Sequence, residues 1–194
     1  MNLPPPQPFR APADWLDEHA RQRGTVTALV DGERHLTYAG LLAQAQRVAA
    51  ALQRDGVAPQ QAVAVCAGAS LEYMVLFLGA LLAGVAVAPL APSATPEQLD
   101  GMSRDAGARL LFADAGTRAL LPQRSDLPCV MLDDAGRDTT AGGRAFTDWL
   151  APQGSRPAPV DVPPHWPFNI IYSSGTTGTP KGIVQPHGMR WAHV

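Results

Sequence analysis

Between Ser173 and Gly182 the chain gathers the residue types that hold phosphate. Ser173, Ser174, Thr176 and Thr177 supply rotatable hydroxyl donors. Gly175, Gly178 and Gly182 let the backbone turn and approach a ligand with no Cβ in the way. Successive backbone N–H groups in such a bend form an anion-binding concavity. Lys181 adds a positive charge on a flexible stem, suited to phosphate as a point charge. Pro180 stiffens the approach to that lysine. An ordinary Gly/Ser/Thr turn between strands needs neither the lysine nor the crowd of hydroxyls. The run is not a Walker loop, in which glycine directly precedes the lysine and Ser or Thr directly follows it. Here Pro180 and Gly182 occupy those places, which disfavours a P-loop kinase or GTPase.

The elements that must position this run are legible upstream. Asp14 to Arg23 has helical character, after a proline-rich lead-in from Met1 to Pro12 that lacks the apolar core of a signal peptide. Val26–Val30 and His35–Tyr38 read as strands joined at Asp31-Gly32, a hairpin signal. Thr37 caps a helix to about Arg54, with Leu41, Leu42, Ala45, Val48, Ala49 and Leu52 on one face and Gly56 past its end. Val63–Cys66 is a strand buried on both faces. Ser70 caps an almost wholly apolar helix, Leu71–Ala83, and Val85–Leu90 follows as a strand. Thr95, Pro96 and Gln98 form a helix start with a capping box, and Gly107 ends that helix. Arg109–Ala113 and Pro128–Leu132 are two further strands with a short helix between them. Strands alternating with helices predict an α/β fold, a largely parallel sheet flanked by helices.

Ala135–Arg144 reads as an exposed loop, and Pro152 to Pro167, punctuated by Pro157, Pro159, Pro163 and Pro164, as a linker crossing the surface. The expected organisation is an α/β part over 1–151, the linker over 152–167, and a strand, phosphate loop and following segment over 168–194. Phe168-Asn169-Ile170-Ile171-Tyr172 leads directly into the loop.

Composition narrows the partners. Apolar residues make up 46% of the 194-residue chain and charged residues 16%, enough for a packed core. A net charge of −2 gives no basic field for nucleic acid or anionic membrane. Tyr73 to Leu90 carries no charge, but Gly79, Gly84 and Pro89 punctuate it, so a buried helix followed by a strand accounts for it better than a membrane span. Cys66 and Cys129 lie in apolar runs and read as core thiols of a reducing compartment, the cytoplasm. His187 reads as the cap of a helix that starts there, His35 and His165 as solvated, and Trp166 and Trp191 as packing anchors. Asp133-Asp134 reads as a strand-end turn rather than a metal pair.

Tyr172 to Gly182 resembles the signature loop of the adenylate-forming (AMP-binding) superfamily: acyl-CoA synthetases, aryl-CoA ligases, firefly luciferase and the adenylation domains of peptide synthetases. Ser173, Ser174, Gly175, Thr176, Thr177, Gly178, Pro180, Lys181 and Gly182 fit its pattern. Leu36-Thr37-Tyr38-Ala39-Gly40-Leu41 resembles an early motif of the family, with Gly40 in place of the usual Glu. Leu82 to Leu90 resembles a second motif that ends in Pro89.

The resemblance implies the first part of the N-terminal domain of such an enzyme. It implies a two-step reaction in which a carboxylate attacks the α-phosphate of ATP to give acyl-AMP and pyrophosphate, and a thiol then displaces AMP. Coenzyme A is the commonest thiol. ATP, coenzyme A, a carboxylic acid and Mg2+ are the implied substrates and cofactors, and the loop is the implied grip on the β- and γ-phosphates. The acidic metal ligand, the ribose-binding aspartate, the acyl pocket and the catalytic lysine of the family lie beyond Val194. The chain is therefore expected to be an N-terminal fragment without adenylation activity of its own, with an uncovered sheet face that favours association. A peptide-synthetase adenylation fragment and a non-catalytic nucleotide-binding module are the alternatives.

Overall fold

The computed structural model describes residues 8–121, 126–133, 143–173 and 180–192. Helix α1 (Pro12–Arg23) starts at Pro12 rather than Asp14, because proline at the first helical position gives up an N–H that has no partner there anyway. Asp14 Oδ2 accepts the Ala11 amide at 3.0 Å and fixes that start. Strands β1 (Thr27–Asp31) and β2 (Arg34–Thr37) form an antiparallel hairpin, with Gly32 at φ 60° in the turn. Thr37 Oγ1 accepts the Gly40 amide at 3.2 Å and opens α2 (Tyr38–Arg54), as its position in the sequence predicts.

Among the described residues the main body is a seven-stranded sheet built from β3 (Ala62–Cys66), β4 (Ala86–Pro89), β5 (Ala108–Ala113), β6 (Cys129–Met131), β7 (Arg144–Ala145), β8 (Pro167–Ser173) and β9 (Lys181–Pro186). The spatial order is β7-β6-β5-β3-β4-β8-β9, parallel except for β9, which runs antiparallel to β8. Helix α3 (Leu71–Leu82), capped by Ser70, links β3 to β4, and α4 (Pro96–Asp105) carries the chain back past β3 to β5. The Thr95–Gln98 capping box of α4 is formed in both directions, at 3.3 and 3.1 Å. Helix α5 (Ala115–Arg118) lies between β5 and β6.

Strand alternation divides the core in two. Val63 and Val65 of β3, Val87 of β4, Phe112 of β5 and Val130 of β6 join the face covered by α1, α2 and α3. Ala64, Cys66, Leu111, Ala113 and Met131 join the opposite face with Leu99 and Met102 of α4. Every residue of β3 is buried, which explains its unbroken apolar run. Cys66 is a buried free thiol, pushed up to about 11 by burial and by the nearby Asp114 carboxylate; Cys129 is half-buried and also free.

Two elements on the far edge depart from the sequence reading. Arg144, expected in an exposed loop, lies in β7 and pairs with Val130. The rest of that predicted loop, through residue 142, is outside the described residues. A short helix, α6 (Phe146–Trp149), follows β7. Its Trp149 is buried edge-on against Phe112, ring centroids 5.1 Å apart, and its indole N–H donates to Asp55 Oδ2 at 2.7 Å.

The proline-rich stretch that follows has no regular structure but is tied down. The Gln53 side chain and the Ala158 backbone exchange hydrogen bonds of 2.9 and 2.8 Å, and Val162 is buried. Gly84, at φ 68°, lets this stretch come close: a Cβ there would stand 3.0 Å from Val160 and 3.1 Å from Trp166. Among the described residues no helix is long and apolar enough to cross a membrane. Strand β9 bounds the sheet, with Ile183 and Val184 both about half exposed.

Candidate functional site

Parallel strands of an open α/β sheet present their carboxyl ends at one edge, and that edge is where ligands bind in such folds. Strand β8 is parallel to β4, so Ser173 ends at this edge together with Cys66, Pro89 and Ala113. The chain returns as β9, with Tyr172 paired to Gly182 and Ser173 to Lys181. Of the expected phosphate-holding residues, Ser173 and Lys181 are described; both are exposed and sit side by side across the strand pair. Ser174, Gly175, Thr176, Thr177 and Gly178 lie outside the described residues. The two ends of the loop are thus brought to adjacent positions by backbone pairing.

Behind this pair stands α4. The Tyr172 hydroxyl lies 2.7 Å from Asp105 Oδ2 and 2.9 Å from the Met102 carbonyl. The phenol has one proton to give, and the Met102 carbonyl already accepts the Ala106 amide at 2.9 Å, so the carboxylate is the acceptor that takes it. Burial, reinforced by the adjacent Asp105 carboxylate, pushes the Tyr172 phenol far above its ordinary value and keeps it protonated. A Cβ on Gly182 would come within 3.0 Å of Asp105 Oδ2 and 3.1 Å of the Tyr172 ring. A side chain at Gly182 would crowd the end of α4. Sequence reasoning missed Asp105, because nothing local marks a contact across 67 positions.

His187, expected to cap the next helix, does something else. Helix α7 (His187–Trp191) has Pro186 at its N-cap, and His187 is its first helical residue. The cap is supplied by the proline-rich stretch: the His187 amide donates to the Trp166 carbonyl at 3.0 Å and the Gly188 amide to the Pro164 carbonyl at 2.7 Å. The imidazole is 2% exposed and packs edge-on against Phe168, centroids 5.1 Å apart. Among the described residues its Nδ1 has no hydrogen-bond partner. Trp191 is an anchor, edge-on to Trp15 at 5.4 Å and to Phe9 at 6.2 Å.

Burial pushes the His187 imidazole down to about 4, so the folded protein holds it neutral. An unfolded histidine binds its proton near pH 6.5. Between those values the unfolded chain binds more protons, so stability falls as pH drops from 6.5 towards 4. The loss reaches about 2–3 kcal/mol by pH 4.5. Urea midpoints of the wild type and of His187→Leu at pH 7 and 4.5 check this. The variant is expected to lose less stability on acidification, and equal losses would contradict the assignment.

A sheet with helices on both faces and a strand pair ending at its carboxyl edge defines the class of open α/β domain whose ligands bind at that edge. More narrowly, the chain belongs to the AMP-binding enzyme family, whose profile matches residues 16–193. It is 31% identical over 170 residues to the fatty acid–[acyl-carrier-protein] ligase ScoC of Streptomyces coeruleorubidus, a match that covers 87% of this chain and 31% of that protein. It is 36% identical over 177 residues to tyrocidine synthase 3 of Brevibacillus parabrevis, covering 89% of this chain and 2% of that one. The crystal structure of the anthranilate CoA ligase AuaEII in complex with anthranoyl-AMP superposes with a TM-score of 0.82 at 26% identity, covering 93% of this chain and 36% of that one. The chain therefore spans less than a third of the two curated relatives. These similarities bear out the adenylate-forming resemblance and the fold expected from it.

Proposed function

We infer that this chain supplies the pyrophosphate grip of an ATP-dependent carboxylate-activating ligase. The observation that carries the reading is the pairing of Ser173 with Lys181 at the carboxyl edge of the sheet, which sets a hydroxyl and an ammonium together at the mouth of the loop. In the proposed reaction a carboxylate oxygen attacks the α-phosphorus of ATP and the bond to the bridging oxygen breaks. Acyl-AMP forms and pyrophosphate leaves with the charge that develops on it. Ser173, Ser174, Thr176 and Thr177 donate to that charge, Gly175 and Gly178 open the backbone to it, and Lys181 neutralises part of it. Donors already in place cost no reorganisation when the charge appears.

Mg2+ is the ion the family resemblance implies. Among the described residues no group of three or more His, Cys, Asp or Glu side chains could hold it. In the second step a thiol attacks the acyl carbon and AMP leaves. Coenzyme A is the acceptor in the leading reading. The similarity to ScoC, named as a ligase to an acyl-carrier protein, supports a carrier-bound thiol as the second reading. The free thiols of Cys66 and Cys129 support a reducing compartment, read here as the cytoplasm.

The grip is testable on this chain alone. In 1H–15N spectra, titration with pyrophosphate is expected to shift the amides of Ser173 and Lys181 in the wild type and far less in Lys181→Ala. Shifts that avoid both positions, or none up to millimolar pyrophosphate, would contradict the reading.

A further inference from the structure

The site holds a contact whose members come from three separate parts of the chain, and two of them, Asp105 and Gly182, are unexpected choices for their own elements. Asp105 is the last residue of α4. Carboxylates are disfavoured at that end of a helix, where the carbonyl dipole is already negative. The neighbouring Arg104 does not compensate it, since its guanidinium bonds Asp100 at 2.9 Å. Tyr172 sits on β8 with its ring half-buried and its hydroxyl turned to Asp105 at 2.7 Å rather than to solvent. Gly182, opposite Tyr172 in β9, forgoes the strand-forming advantage of a side chain, and a Cβ there would press on the Asp105 carboxylate at 3.0 Å and the Tyr172 ring at 3.1 Å. Local choices that conflict with their own element, yet agree on one point in space, mark a place where the fold serves a site.

That point lies one residue before Ser173 and one residue after Lys181. We propose that Asp105, Tyr172 and Gly182 form a latch that fixes both ends of the phosphate loop to the end of α4 and so positions Lys181 and Ser173 before the nucleotide arrives. These are positioning residues: none of them touches phosphate, and each acts through the loop it holds. The consequence is kinetic. A loop with loose ends still meets ATP, but its donors must be ordered as the charge on the leaving pyrophosphate develops, which raises the barrier of the chemical step. The latch rests on the pyrophosphate-grip reading, and its test must separate the two.

The assay is acid-dependent ATP–pyrophosphate exchange by the full-length ligase, with Tyr172→Phe, Asp105→Ala, Asp105→Asn, the Tyr172→Phe/Asp105→Ala double variant, and Lys181→Ala as reference. Phenylalanine keeps the ring, and asparagine keeps the shape and one acceptor oxygen, so melting temperatures near the wild type are expected for both. Tyr172→Phe and Asp105→Ala should each lower kcat about tenfold, the scale of a charge-assisted hydrogen bond. The KM for the carboxylic acid should stay within about twofold, because uniform binding is untouched. Asp105→Asn should fall between wild type and Asp105→Ala. The double variant should be no slower than the slower single, since one bond is lost in both. Singles within twofold of wild type, or a double variant with multiplied losses, overturn the latch while a slow Lys181→Ala leaves the grip standing. A Lys181→Ala rate equal to wild type overturns the grip and the latch with it.

Discussion

Gly79→Ala is expected to lower the stability of this domain by about 2 kcal/mol, although alanine is the better helix former. Gly79 sits in α3 where that helix crosses α2, and a Cβ there would stand 2.4 Å from Val48 Cβ, 2.5 Å from Val48 Cγ1 and 2.7 Å from the Ala45 carbonyl oxygen. Helix propensity favours alanine by about 1 kcal/mol. Two of the three contacts, however, are with atoms that no rotamer change can move, so the helices themselves must separate. Overpacking that displaces backbone costs about 1–3 kcal/mol, and an overlap beyond 1 Å belongs at the upper end of that range. Val48→Ala should not rescue the variant, because the Val48 Cβ is itself the nearest contact. Gly101→Ala is the matched control: the position is exposed in α4 with nothing within 4 Å of the added Cβ. It should gain about 0.5–1 kcal/mol. Denaturant midpoints that move in opposite directions for the two substitutions bear this out; a stabilised Gly79→Ala would mean the helices are not packed so closely.

Lys181→Ala carries the largest expected effect on chemistry, about a hundredfold loss in the rate of adenylate formation by the full-length ligase. Removing one preorganised donor to a developing oxyanion costs about 3–4 kcal/mol in well-studied cases, and Lys181 offers a full charge rather than a dipole. Against this, Lys181 is exposed, and water screens part of its field. A factor near one hundred, about 2.7 kcal/mol, balances the two. The KM for the acid should hardly change, since the acid does not meet this residue in the proposed reaction.

What could be read from the sequence was whatever short-range chemistry dictates. The caps at Thr37, Ser70 and Thr95 were legible because each depends on residues within one helical turn. The burial of β3 on both faces followed from its unbroken apolar run. Strand β7 was not legible: two residues carry no period, and Arg144 joins the sheet only because Val130 offers an open edge. The His187 cap failed for a related reason, since the carbonyls that serve α7 belong to Pro164 and Trp166, which the sequence marks only as linker. At the site, residue type drew attention to Ser173 and Lys181 as the ends of the expected loop. That those ends lie on two antiparallel neighbours, and that Tyr172 beside them reaches Asp105 of α4, depend on contacts no local pattern encodes.

The most direct measurement of the central claim is the acid-dependent exchange of labelled pyrophosphate into ATP by the full-length ligase, wild type against Lys181→Ala. The pyrophosphate grip predicts exchange that depends on a carboxylic acid in the wild type, and a rate about a hundredfold lower in the variant at unchanged KM for the acid. Equal rates in the two proteins, or exchange indifferent to any acid, would contradict it.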